Sequence, residues 1–438
     1  MTLPLRHDRD ALPTAETDVL KELEKSIREN GYLKDGESIP VVLKDRIELD
    51  HGRTGFYAEN NTLIGLSVRY CELTSLPESL SQLTHLQQLD LTGNQLSSIP
   101  ASLGKLSDLR KLYLDENQLA SLPESLGNLI HLQELHVDVN RLTSLPESIG
   151  QLMNLERLYL YDNKLASVPA NLSRLTSLKD ISLGGNQLVS LPESFWQLMQ
   201  LHVLNLAENQ LSSIPENIGN LTNLHMLDLA HNRLTSLPET LGNLKKLTDF
   251  LYLSNNQLAS LPRSFENLRT LSYLNITDNQ FTSLPDWIGR LTKLQELRLY
   301  NNRLSSLPDS LGDLTNLKEL HLMKNRLVSL PESMGNLASL KELRLSDNGL
   351  IYLPETLGNL TNLTCLDLRN NKLISVPESI GDLRSLTFLD LRANRFVSLP
   401  ASIGDLANLE KLDLRWNKLS SFPKWIQRLE QRGCTVYR

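Results

Sequence analysis

Cysteine is scarce and scattered. The chain has three, Cys71, Cys365 and Cys434, too far apart in sequence to staple a small fold. No disulfide framework is expected, and a reducing, cytoplasmic setting follows. Long apolar runs are missing too. The opening MTLPLRHDRD lacks the hydrophobic centre of a secretory signal, and no stretch approaches the roughly 18 apolar residues of a membrane span, so no signal peptide and no membrane partner are expected. A basic excess is also absent: 44 Lys and Arg against 51 Asp and Glu leave a net charge of -7. Binding along a phosphate backbone needs a basic footprint, so no nucleic acid partner is expected.

Catalytic constellations are equally thin. His131 and His136 stand five apart, not at the i, i+4 spacing that sets two imidazoles on one helical face. Residues 50–56, DHGRTGF, lack the Gly-Lys-Ser or Gly-Lys-Thr of a phosphate loop and read as a turn. The chain is read as no enzyme, with no cofactor and no metal.

What fills the chain instead is one phrase, rewritten. Asn94, Asn117, Asn140, Asn163, Asn186, Asn209 and Asn232 stand 23 residues apart; Asn256 follows after 24, and the step of 23 resumes through Asn279 to Asn417. One earlier unit carries Cys71 in the asparagine's place, which makes sixteen units over residues 63–429, each with one proline from Pro77 to Pro423. Within a unit Leu112 and Leu114 alternate with Tyr113 and Asp115, the period of a short strand with leucines inward and polar residues outward. One such strand buries nothing alone. Stacked units share a continuous core whose stability is close to a sum of neighbour terms. Asn117 sits where the chain must turn away from the sheet, and its amide suits the job of satisfying backbone groups of an adjacent turn. On the return limb Ser121 and Glu124 resemble a capping box, with Pro123 in a first helical turn.

Each unit reads Leu-x-x-Leu-x-Leu-x-x-Asn-x-Leu, and so the chain resembles the leucine-rich repeat proteins. The resemblance implies an α/β repeat solenoid: a horseshoe with a parallel sheet on the concave face and short helical or 3-10 turns on the convex face. The Leu-Pro after the turn resembles the intracellular Ras-group repeat proteins of plants and the related animal Ras-scaffold proteins, which implies a signalling scaffold or adaptor whose protein partner is a small GTPase or a phosphatase. A regulatory subunit of a bound enzyme and a secreted pathogen effector without catalysis are the alternatives. A monomer is expected.

The flanks read as caps: residues 1–62 at one end, 430–438 at the other. Up to about Ala15 disorder is expected. Over residues 17–30, Val19, Leu20, Leu23 and Ile27 share one helical face, with Thr17 or Asp18 as cap and Gly31 past the end. A hairpin strand is expected at about 55–59, turning at Asn60-Asn61. At the far end KWIQRLEQRGCTVYR reads as a helix and a closing strand.

What varies between units carries the functional reading. The outward columns gather Tyr113, His136, Tyr159 and Tyr161 with Asp115, Glu116, Asp138 and Asp162 in one region. A second collects Arg298, Tyr300, His321, Met323, Lys324 and Arg344, and the last three units pair Asp with Arg beside Trp416. Tyr, Trp and Arg are favoured interface anchors, so Tyr113, His136, Tyr159, Tyr161, Arg298, Tyr300, His321, Met323, Arg344 and Trp416 are the candidate protein-binding residues. The periodicity itself is open to test. Deleting residues 140–162, one whole period, is expected to leave a soluble, shorter chain that unfolds cooperatively in urea, since the neighbours rejoin through equivalent surfaces. A loss of folding comparable to a core truncation would contradict the stack.

Overall fold

A computed structural model describes residues 9–42 and 54–438. The first eight residues and the 50–53 part of the expected turn lie outside the described residues. The chain divides into two compact units, Met1–Leu211 and Ser212–Arg438, each a run of the same strand-and-turn repeat.

The first unit opens on a cap. Arg9–Ala11 form a 3-10 turn rather than a disordered lead-in, and helix α1 spans Thr14–Glu29, starting ahead of the expected Thr17. Its cap is Pro13, with no side-chain cap bond; Thr17 Oγ1 donates back to the Pro13 carbonyl instead. Val19, Leu20, Leu23 and Ile27 form the buried stripe. Two buried carboxylates fasten the helix to the segments beyond it. Glu24 pairs with Arg9 and accepts the Ile39 N–H at 2.8 Å, and Glu16 accepts the Leu63 N–H at 2.8 Å. Strands β1 (Gly55–Glu59) and β2 (Thr62–Ser67) are antiparallel and turn at Asn60 and Asn61, both at positive φ, as a tight two-residue hairpin demands.

After β2 every strand is three residues long. In the first unit the strands run in parallel register to Val203–Asn205, so that Leu112 lies between Leu89 and Leu135. In the second they run from Met226–Asp228 through Lys411–Asp413 to a closing strand, Thr435–Tyr437. Helix α2 (Trp425–Gln431) precedes that strand. Between strands the return limbs are five-residue 3-10 turns such as Glu124–Asn128. Leu112, Leu114 and Leu119 are wholly buried.

The turns show how one unit is tied to the next. Asn186 Oδ1 accepts the Leu165 N–H at 2.9 Å, while Nδ2 faces the carbonyls of Leu160 at 2.9 Å and of Leu183 and Gly184 at 3.0 Å. The residue just before each ladder asparagine is left-handed: Gly93, Glu116, Val139, Asp162, Gly185 and Glu208 in the first unit, Asn255, Asp278, Asn301 and Trp416 among those in the second. The expected capping box does not form. Pro123 caps the turn without a side-chain bond, and Glu124 reaches forward to accept the N–H groups of Glu147 at 3.2 Å and Ser148 at 3.0 Å in the following repeat. Those bonds, chiefly the one from Ser148, hold its carboxyl below the usual carboxylate range. Gly104 explains the recurrent Leu-Gly: a Cβ there would lie 2.3 Å from the Ser125 carbonyl oxygen of the next repeat, so only glycine lets these limbs close up.

The 24-residue step is absorbed ahead of a strand. Asp249 N–H donates to the His225 carbonyl at 3.1 Å, after which Phe250–Tyr252 pairs in register with both neighbours. Asn186→Ala leaves several buried backbone groups unpaired and is expected to cost about 1–3 kcal/mol in urea unfolding. Asn255→Ala, one position before the ladder, loses the ease with which asparagine adopts φ 54° and an exposed side-chain contact with His231 at 3.2 Å, and is expected to cost no more than about 1 kcal/mol. Equal losses would show that the ladder does not bear the stack.

Candidate functional site

Strict register turns the outward columns into physical rows. In the first unit Tyr113, His136 and Tyr159 are direct strand neighbours. Their rings follow one another at centroid distances of 4.6 and 4.5 Å, tilted and then edge-on, within the range of favourable aromatic pairs. Tyr161 stands one column over, its hydroxyl 3.2 Å from Glu208. Beside this row lies Glu134, which the sequence reading left out. It accepts from the Tyr113 hydroxyl at 3.1 Å and from Arg157 Nη1 at 2.8 Å. The His136 ring at 3.8 Å, with Lys111 and Arg157, holds the Glu134 carboxyl down at about 2. The alternation of outward residues runs one step further back than the two columns first considered, and that extra step is the signal that identifies Glu134.

The acidic companions of this row have another task. Asp115 Oδ1 accepts the Asp138 N–H at 2.7 Å and Asp138 Oδ1 accepts the Tyr161 N–H at 2.6 Å. Asp90 is salt-bridged to Arg69 at 2.9 Å. These carboxylates finish the backbone at the strand ends before they offer anything to a partner. The final repeats do the same: Asp367, Asp390 and Asp413 accept the N–H groups of Arg369, Arg392 and Arg415 at 3.1, 3.1 and 3.2 Å. Arg392 and Arg415 return ion pairs to Asp390 at 3.1 Å and Asp413 at 2.6 Å.

In the second unit Arg298, Tyr300, His321 and Met323 line a hollow of about 200 Å³ together with Ser254, Asn255, Asn275 and Thr277. Arg344 follows His321 on the next strand and pairs with Glu342. Lys324 lies 5.1 Å over the Tyr300 ring. The omitted first column matters here too: Phe250 and Tyr273 join Tyr252 in an aromatic group with centroids 5.0–5.7 Å apart. Glu296, Glu319 and His321 bring ligand atoms within 4.8 Å of one another. However, Arg298 Nε already donates to Glu296, a fixed positive charge beside the place a cation would take, and we assign no metal there. Trp416 stands apart, 72% exposed, at the end of the Asp and Arg columns.

The family model for the leucine-rich repeat region matches residues 101–190, 187–272, 259–352 and 351–431, and the leucine rich repeat model matches residues 61–119. The chain belongs to the leucine-rich repeat family. Among solved structures it is similar to an LRR protein of Leptospira interrogans, with 31% identity and a TM-score of 0.75 over 92% of this chain and 100% of that one. It is also similar to a TDR receptor, with 30% identity and a TM-score of 0.67 over 81% of this chain and 68% of that one. An internalin from Listeria monocytogenes shares the fold at 22% identity and a TM-score of 0.58, over 92% of this chain and 97% of that one. No curated protein sequence matches. The fold is that of a protein-binding module, a class typically without catalysis.

Burial pushes the Asp115 carboxyl up to about 6, against the lowering influence of His136 and the Asp138 N–H. The folded chain thus holds this proton more tightly than the unfolded one. Ionised Asp115 costs stability above pH 6, and the cost is relieved as pH falls through 6 toward 4. Asp115→Asn keeps the acceptor for Asp138 and removes the charge. It is expected to be more stable than the parent at about pH 7.5 by about 1–2 kcal/mol in urea unfolding, with the gap closing by about pH 4.5. A gap independent of pH would refute this assignment.

Proposed function

We propose that this chain is a non-catalytic scaffold that holds a protein partner on its sheet face, working in the cytoplasm. The observation that carries this reading is the row Tyr113, His136, Tyr159: three rings held at fixed spacing on a rigid sheet, partly exposed, with Glu134 and Arg157 locked beside them. Such rings lose little freedom when a partner covers them, which is why aromatic anchors dominate interfaces. The hollow bounded by Arg298 and Tyr300 supplies a second contact of the size of one large side chain. The likeness to a TDR receptor supports a recognition role. The Leu-Pro wording of the repeats favours the Ras-group class, and with it a small GTPase or a phosphatase as the partner. The scarcity of cysteine favours the cytoplasm.

The test uses the whole chain as bait, with each captured partner then titrated in purified form. Tyr159→Ala and Tyr300→Ala are each expected to weaken binding by about 1–4 kcal/mol with little change in melting temperature. Lys293→Ala, an exposed side chain behind the sheet, serves as control and is expected to be neutral. Binding that survives both tyrosine changes but is lost on altering the return limbs would overturn the sheet-face reading.

A further inference from the structure

The last repeat and its cap differ in charge from everything before them. Residues 411–438 hold seven Lys or Arg and only two acids, Asp413 and Glu430, a net +5 within a chain of -7, so the remainder carries -12. Among the described residues Lys411, Lys418, Lys424 and Arg428 have no carboxylate in ion-pair reach.

Aromatic rings stand against three basic residues of this segment, the unpaired Lys411 and the ion-paired Arg415 and Arg438. The Arg415 guanidinium, held by Asp413 at 2.6 Å and 3.0 Å, sits 5.5 Å from the Trp416 ring and 4.9 Å from that of Tyr437. Lys411 lies 5.3 Å from Tyr437, and Arg438 lies 5.5 Å from Phe422. Trp416, Phe422 and Tyr437 are 72%, 46% and 39% exposed.

Trp416 is also strained. It occupies the left-handed position, φ 60°, that Gly93, Asn255, Asp278 and Asn301 fill in other repeats, and that Val139 and Ala393 fill as well. An indole bears a conformational penalty there and, 72% exposed beside the Arg415 guanidinium, buries little surface in return. A side chain that folding rewards so little, exposed in a segment of net positive charge, points to a ligand.

We infer that the C-terminal cap is a docking surface for an acidic segment of a protein partner, with an apolar or aromatic residue of that segment against Trp416 and Tyr437 and its carboxylates on Lys418 and Lys424. Charge complementarity selects an anion, and the remaining -12 selects a short one. A nucleic acid or an anionic membrane extends beyond the cap and meets net negative charge, whereas a segment of a few residues ends within it. The inference rests on the reading of the chain as a protein-binding module, but it uses a surface separate from the tyrosine row.

The probe is a labelled peptide of alternating Glu and Gly with one central Phe, followed by fluorescence anisotropy on the full chain. A lysine peptide of equal length, an oligothymidylate strand and phosphatidylserine vesicles are the comparison probes. The acidic peptide is expected to bind with a Kd on the order of micromolar, weakening as salt screens the cap. Trp416→Asn is expected to weaken it at least about tenfold while raising the melting temperature, because asparagine accepts the left-handed backbone. Lys418→Glu with Lys424→Glu is expected to weaken it similarly with the melting temperature unchanged, which keeps the test valid should Trp416→Asn disturb the fold. Tyr159→Ala is expected to leave peptide binding intact, separating this surface from the one proposed above. Absent binding, equal binding of the lysine peptide, tighter binding of the oligonucleotide or vesicles, or full retention in Trp416→Asn would each overturn the inference.

Discussion

A buried side-chain amide is the part on which everything else rests. Within each unit a ladder asparagine gives its oxygen to an N–H of the preceding repeat and its NH2 to carbonyls of both repeats, as Asn186 does for Leu165, Leu160 and Leu183. The turn after every strand leaves backbone groups facing inward, away from water. Unpaired, they would cost more than the short strands return. An amide accepts on its oxygen and donates two protons from its nitrogen, whereas a carboxylate only accepts and a hydroxyl has a single proton on a single atom. Leucine supplies the core, but the amide makes its interior tolerable for a chain that must turn sharply in every repeat.

The same logic reaches the surface. Because the ladder enforces register, the outward residues fall into rows rather than scatter, and the chemistry of a row is set by the further duties its members have toward the backbone. Asp115, Asp138, Asp367, Asp390 and Asp413 face outward, yet all accept main-chain N–H groups. Their negative charge is partly a by-product of finishing strand ends. Tyr113, Tyr159, Tyr300 and Trp416 carry no such duty toward the backbone, which is why the proposed recognition role falls to them. Carboxylates that look like half of an electrostatic pattern in sequence are thus discounted, while aromatic residues gain weight.

Much of this was legible in advance because the period repeats with almost no error. The strand, the inward leucines and the asparagine ladder follow from a spacing of 23, and so does the family. Local end effects were not legible. Ser121 and Glu124 match a capping box in spacing, but the turn is 3-10 and its glutamate has a better acceptor role toward Ser148 one repeat on, a contact between residues 24 apart that no local pattern announces. The helix at the start begins at Thr14 because Pro13 can precede a helix without a side-chain cap, and the buried Glu16 lies within it for the sake of Leu63. The left-handed residue before each asparagine was hidden for a different reason. Its occupants range from glycine to valine and tryptophan, so composition conceals a requirement that the ladder imposes. Glu134 and Tyr273 were missed by stopping the alternation one residue short.

The extra residue at Asp249 has a consequence for how such a chain changes over generations. It is taken up before the strand, and every bond from the strand to Asn256 keeps its partner, the amide merely reaching 27 positions back to Leu229 where its neighbours reach 26. A gene of this kind can gain or lose whole periods by unequal recombination, and can tolerate small errors in the crossover, provided the mismatch falls on the return limb. Copying errors between strand and asparagine would break the stack, whereas those outside that segment lengthen the loop and leave the rows aligned.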